Sequence, residues 1–305
     1  MTDFQLYRKR DFSALLNDTL EFVKLNGKNY FKNFLFIVAP LLMIFALIYF
    51  FTFKDVLNNI ATGKNPSTLF SDNNLGVMII FGILLFIVSI ILSIASTGFP
   101  VVYLNLYEKN ENTNFPTSEI LNNLTNHAGK IIIFGLSSFF LFLIPIVIFL
   151  ALSIVLIVLL VGIPLLIIGL PAIGSWMYLS LIVYLREDLG FFESLGKGWK
   201  ILFSNFWAIV GSMVIIMLVT VILQSIVSVV PMMFGMGSFI TSGGNPANFN
   251  MPTLNIIIYI ISIFLSYFLN NLLLIQQMLA YFSGQENSEH INAISEIDSI
   301  GNNAE

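Results

Sequence analysis

Four long stretches of this chain contain no Asp, Glu, Lys or Arg: those between Lys32 and Lys54, Asp72 and Glu108, Lys130 and Arg186, and Lys200 and Glu286. A hydrocarbon core about 30 Å thick takes about 20 apolar residues of helix to cross. Each stretch therefore holds at least one crossing. Residues 131–185 would be about 80 Å long as a single helix, so they must turn back, and the last stretch is longer still. Within each stretch the apolar residues are continuous, not alternating at period two as in a closed β-barrel. The fold class implied is all-α: a polytopic transmembrane helical bundle of six spans.

The spans fall near 34–53, 75–101, 131–158, 164–185, 203–230 and 254–282. Val161-Gly162-Ile163-Pro164 supplies the turn between the third and fourth, with Pro164 suited to the first position of the new helix. Pro171 then lies inside span 4, where a proline kinks a helix. This divides the chain into a leader (1–33), a six-span membrane domain (34–282) and an acidic tail (283–305).

Lys and Arg set the orientation. Arg8, Lys9, Arg10, Lys24, Lys28 and Lys32 precede span 1, Lys109 and Lys130 lie between spans 2 and 3, and Arg186, Lys197 and Lys200 lie between spans 4 and 5. Only Lys54 and Lys64 fall on the other side. Eleven against two places both termini in the cytoplasm of a bacterial inner membrane. With no cysteine, disulfides and thiol chemistry are excluded. The net charge of −4 carries no nucleic-acid footprint. The partner implied throughout is the lipid bilayer.

The segment leading into each odd-numbered span reads as a cytoplasmic amphipathic helix lying at the interface. Phe12, Leu15, Thr19, Phe22 and Val23 share one face, and Phe192, Leu195, Trp199, Leu202 and Phe203 repeat that spacing. Leu121, Leu124, Ala128, Ile131 and Ile132 follow it more loosely. Asp18, Glu21 and Lys24 in the first segment, and Glu193, Lys197 and Lys200 in the last, are assigned to the polar faces. Three units of interfacial helix plus hairpin would make an internal repeat, although any amphipathic helix gives this spacing at period 3.6.

The leader Arg10-Asp11-Phe12-Ser13-Ala14-Leu15-Leu16-Asn17-Asp18-Thr19 and the later Phe192-Glu193-Ser194-Leu195-Gly196-Lys197-Gly198-Trp199-Lys200 resemble those of a broad group of bacterial membrane proteins. The group includes the membrane domain fused to some glycerophosphodiester phosphodiesterases and stand-alone Bacteroidota proteins of this length. The resemblance implies a six-helix bundle without a catalytic domain. Some proteins of this appearance carry the name of a carotene-cleaving oxygenase. Such enzymes hold iron through several histidines, whereas this chain has only His127 and His290, both outside the spans.

Ionisable groups inside a membrane mark proton relays and ion paths, and the six spans contain none. No catalytic residue, cofactor site or metal site emerges. Neutral polarity remains: Asn255, Ser262, Ser266, Asn270 and Gln277 recur along one face of span 6, opposite Gln224 and Ser228 on span 5. Interhelical hydrogen bonding explains such a seam at about 0.6 kcal/mol per contact; the alternative is the lining of a substrate path. The expected role is non-enzymatic, an organising or partner-binding membrane protein that acts through its leader helices or its acidic tail. A permease or flippase for a neutral or lipid-like substrate is the alternative. A membrane enzyme on an apolar substrate such as a carotenoid is disfavoured by the missing histidine cluster.

Overall fold

The computed structural model describes residues 4–61, 72–241 and 253–289, with side chains chiefly over 4–52, 79–226 and 261–287. Every regular element among the described residues is helical: α1 (Phe12–Ala61), α2 (Asp72–Asn110), α3 (Thr117–Leu156), α4 (Gly162–Arg186), α5 (Phe191–Ser204), α6 (Phe206–Thr241) and α7 (Thr253–Glu289), with a 3-10 turn at Ile157–Leu159. Among the described residues, six helical stretches are long and apolar enough to cross a membrane: Phe12–Thr52, Ile79–Asn110, Thr117–Leu159, Gly162–Arg186, Phe206–Ile226 and Ile261–Asn287. Large apolar side chains such as Phe36, Phe86, Phe140, Val158 and Ile226 point outward, while Arg10, Asp18, Asn33, Asn271, Gln276 and Gln277 are buried. That distribution inverts the one found in water and suits a solvent of lipid. The chain is a multi-pass integral membrane protein.

The helices divide between two compact units. The first comprises residues up to Asn33, Thr97–Leu218 and the chain from Asn271; the second comprises Phe34–Ser96 and Val219–Asn270. Three hydroxyls among the described residues of the second unit bond within their own helices: Thr52 Oγ1 donates to the Ile48 carbonyl (2.7 Å), Ser89 Oγ to Phe86 (2.7 Å) and Ser225 Oγ to Val221 (2.8 Å). A hydroxyl bonded to its own helix needs no neighbour, which is how a charge-free span tolerates serine.

In the first unit the turn between α3 and α4 falls where the sequence places it. Leu160 takes a left-handed conformation (φ 59°). A Cβ on Gly162 would strike the Ser153 carbonyl oxygen and the backbone of Leu156 and Ile157, so only glycine allows the chain to reverse so tightly. Because α4 starts at Gly162, Pro164 is its third residue and not its first. The early turn tolerates this, since its N–H groups have no intrahelical acceptor. Pro171 lies inside α4 as expected.

The three lead-in segments differ. The first two run without a break into the crossings, giving α1 50 residues and α3 40. No proline interrupts either junction, and one glycine costs only about 1 kcal/mol against helix. Only the third forms its own helix, α5, which ends at Asn205 (φ −150°, ψ 53°). Ser194, Leu195, Gly198, Ile201 and Leu202 of α5 are buried, while Phe192, Trp199 and Phe203 stay exposed. The apolar stripe thus splits: one edge packs on protein and the other faces outward.

Trp176 on α4 donates through Nε1 to the Leu195 carbonyl of α5 (2.9 Å) and meets the Trp199 ring at 4.9 Å. A Cβ on Gly198 would run into the Ser180 backbone, whereas one on Gly196 meets nothing within 4 Å. Gly198→Ala should therefore destabilise the α4–α5 contact by about 1–3 kcal/mol. Gly196→Ala should be neutral or stabilising by up to about 1 kcal/mol. Thermal unfolding in detergent, followed by tryptophan fluorescence, measures both.

Candidate functional site

Charged side chains gather in the first unit, and several are tied to one another. Glu108, near the end of α2, accepts a hydrogen bond from the Tyr7 hydroxyl through Oε1 (2.6 Å) and pairs through Oε2 with Arg186 at the end of α4. The Arg186 guanidinium lies over the rings of Tyr281 (5.0 Å) and Phe282 (4.6 Å) on α7, a cation–π arrangement. Glu187 accepts from the Tyr281 hydroxyl (2.8 Å) and from Gln285 Nε2 (2.6 Å) through Oε1, and meets Lys197 Nζ of α5 through Oε2 (2.7 Å). Two carboxylates thus join the N-terminal segment, α2, α4, α5 and α7. Lys130 of α3 pairs with Asp188 in the α4–α5 connection, and this pairing holds the Asp188 carboxyl below its usual range.

Arg10 anchors the N-terminal segment. Its Nε donates to Asp18 Oδ2 (2.7 Å), its Nη1 to the Leu6 carbonyl (2.6 Å) and its Nη2 to the Gln5 carbonyl (2.6 Å). Its backbone N–H reaches Ser283 Oγ (2.9 Å), and its carbonyl accepts from Asn205 Nδ2 (2.9 Å). Asp18 is buried, which corrects its placement on the polar face; Glu21 and Lys24 do lie exposed. Asp18 sits one residue before Thr19 in the buried stripe of Leu15, Thr19 and Phe22, within reach of Arg10. Burial pulls the Arg10 pKa down, opposed by the bond to Asp18. Burial pushes the Tyr7 phenol up to about 12, helped by the Glu108 carboxylate that accepts its proton.

A second, neutral cluster joins α4, α6 and α7. Gln277 Nε2 donates to Ser175 Oγ (2.9 Å) and to Gln276 Oε1 (2.8 Å), and Ser175 Oγ donates to the Met213 sulfur (2.8 Å). Gln276 Nε2 donates to Ser212 Oγ (2.7 Å) and to the Ile209 carbonyl (3.2 Å). Nearby on α7, Asn271 accepts from the fully buried Tyr30 hydroxyl (2.8 Å).

Of the predicted seam, Gln277 alone among the described residues belongs to this cluster. Ser262, Ser266 and Gln224 are half-buried and Asn270 is exposed, all four in the second unit. The side chains of Asn255 and Ser228 lie outside the described residues. Gln276 lies outside the predicted seam, although adjacent amides in an apolar run signal two neighbours, since they point about 100° apart on a helix. Ser175 and Ser212 carried no such signal, because small residues also suit plain helix packing.

His127 lies on α3, where Nδ1 is 2.7 Å from the Asn123 carbonyl, and His290 falls outside the described residues. Among the described residues no three His, Asp or Glu side chains converge as a metal site requires. The beginning of the predicted tail is helical and packed: Ser283, Gln285 and Glu286 are buried on α7, and residues 290–305 lie outside the described residues. No protein-family model, curated protein or solved structure matches this chain.

Removing the Arg10 side chain leaves the buried Asp18 carboxylate only the longer contact with the half-exposed Arg8, at 3.6 Å. Arg10→Ala should cost about 3 kcal/mol or more, with most of the loss recovered in Arg10→Met/Asp18→Leu, because a buried pair replaced by apolar groups is often neutral. Thermal unfolding in detergent measures the cycle. The folded pKa of Tyr7 lies above its unfolded value of 10.0, so its contribution to stability is complete below pH 10 and is lost as pH rises through about 12. Phenolate absorbance, taken as the difference between wild type and Tyr7→Phe, should accordingly titrate near pH 12 in the folded protein.

Proposed function

We propose that this chain is a non-enzymatic protein of the bacterial inner membrane, with both termini cytoplasmic, that organises its surroundings by binding a partner at its basic side. The observation that carries the reading is the ionic network, which spends its charges on joining separate segments. A surface made rigid in this way suits binding more than turnover. All eleven basic residues assigned to the cytoplasm belong to the first unit, which supports the orientation. The exposed Phe192, Trp199 and Phe203 beside Lys200 suit α5 to the membrane–water boundary. The likeness of the leader segments to the bacterial six-helix group fits the same role.

A photo-crosslinking residue at Glu193 or Lys200 on the outer edge of α5 tests this reading in native membranes. One discrete protein adduct is expected; adducts to lipid alone would overturn it. A second reading, a permease or flippase for a neutral lipid-like substrate, is favoured by the exposure of Asn270 and the half-exposure of Ser262 and Ser266. With no native cysteine, single cysteines at these three positions can be probed with a membrane-impermeant thiol reagent. The organising role expects all three to be protected, whereas a water-filled path would label them.

A further inference from the structure

A groove of about 490 Å³ runs between α3 and α4 within the first unit, a size typical of sites for one small ligand. Its inner wall holds the buried Phe134, Ser138, Phe142 and Tyr178, and Phe139 forms an exposed outer lip. Two features separate it from an ordinary seam between helices. The first is Gly135. Glycines at helix contacts here make room for a neighbour: a Cβ on Gly98 would hit Ile131 and Leu124, and one on Gly169 would hit Phe149. A Cβ on Gly135 meets nothing within 4 Å, so its missing side chain enlarges the groove and not a contact.

The second feature is Ser138, which is 2% exposed and whose hydroxyl has no hydrogen-bond partner. Three buried serines elsewhere in the unit give their proton to the carbonyl four residues back, Ser153 to Phe149, Ser180 to Trp176 and Ser212 to Ala208, and Ser175 donates to the Met213 sulfur; Ser194 on α5 shares the unpaired state of Ser138 but lies outside the groove. The Tyr178 hydroxyl is already committed to the Thr97 carbonyl (3.0 Å). Ser138 is thus a neutral donor on an aromatic, uncharged wall. A buried polar group left unpaired costs about 1–3 kcal/mol, and an acceptor arriving with a ligand would relieve that cost.

We propose that this groove binds one neutral membrane lipid that carries a carbonyl oxygen on a flat ring, of the quinone type. The ring would lie among Phe134, Phe142 and Tyr178, the carbonyl would accept from Ser138, and the chain would leave past Phe139 into the bilayer. The site is independent of the partner-binding reading, and either can fail without the other.

Trp176 reports on the groove, because its ring contacts Phe142 at 5.0 Å. In a Trp199→Phe/Trp207→Phe background it is the sole tryptophan, and quinones quench indole fluorescence. Titrating a decyl-chain benzoquinone into the full chain in nanodiscs should give saturable quenching. Ser138→Ala should weaken the apparent affinity about two- to ten-fold, the worth of one neutral hydrogen bond. Gly135→Leu should abolish saturation, with an unfolding temperature no lower than that of the wild type showing that both variants fold. Quenching that rises linearly with quinone and is the same in all three proteins would show simple partitioning and overturn the proposal. Equally, quenching by a brominated-chain phosphatidylcholine that excess quinone does not displace would assign the groove to bulk lipid and overturn it.

Discussion

Hydrocarbon offers no hydrogen-bond partner, so every polar group carried below the interface must be met by another part of the same chain. The structure meets most such groups in three ways, the Ser138 hydroxyl being an exception. Lone hydroxyls fold back onto their own helix, as Ser89 and Ser225 do. Amides cross between helices, as Gln276 and Gln277 do toward α6 and α4. Full charges are kept near the helix ends and neutralised there, as with Arg186 and Glu108. The long charge-free runs and the dense ionic network are two consequences of the same rule.

The same rule decides what the sequence discloses. Crossings are legible because hydrophobicity accumulates over many residues, and the α3–α4 reversal is legible because a single helix would be too long. Asp18 was not legible, because its position on the helix suits either face and Arg10, which buries it, acts from outside α1. Gln276 and Gln277 were half legible: two amides in an apolar run announce neighbours without naming them. The continuity of α1 and α3 with their lead-in segments depends on the lack of a breaker, and α5 ends at Asn205, whose side chain donates to the Arg10 carbonyl. Such decisions rest on partners far away in sequence, which periodicity does not register.

Glycine shows the limit most directly. Gly98, Gly135, Gly162 and Gly198 look alike in the sequence. In the structure Gly98 and Gly198 admit a neighbouring helix, Gly162 admits a turn of its own chain, and Gly135 leaves space unfilled. Small residues on a membrane helix therefore mark closeness only on average. The distinction that matters for function is between space that a helix fills and space that stays open, and it appears only once the neighbours are in place.

The bonds made by Arg10 also impose an order on assembly. Its backbone N–H is answered by Ser283, and its carbonyl by Asn205; Tyr30 likewise waits for Asn271. The segment before α1 is thus completed by residues of α7 and of the α5–α6 junction. Until α7 has entered the bilayer, the N-terminal segment holds unanswered donors and a half-assembled aromatic core. Contacts this distant in sequence form slowly, so a chain interrupted before α7 exposes its own beginning. The contacts made by α7 thereby register that α7 itself has taken its place beside the N-terminal segment.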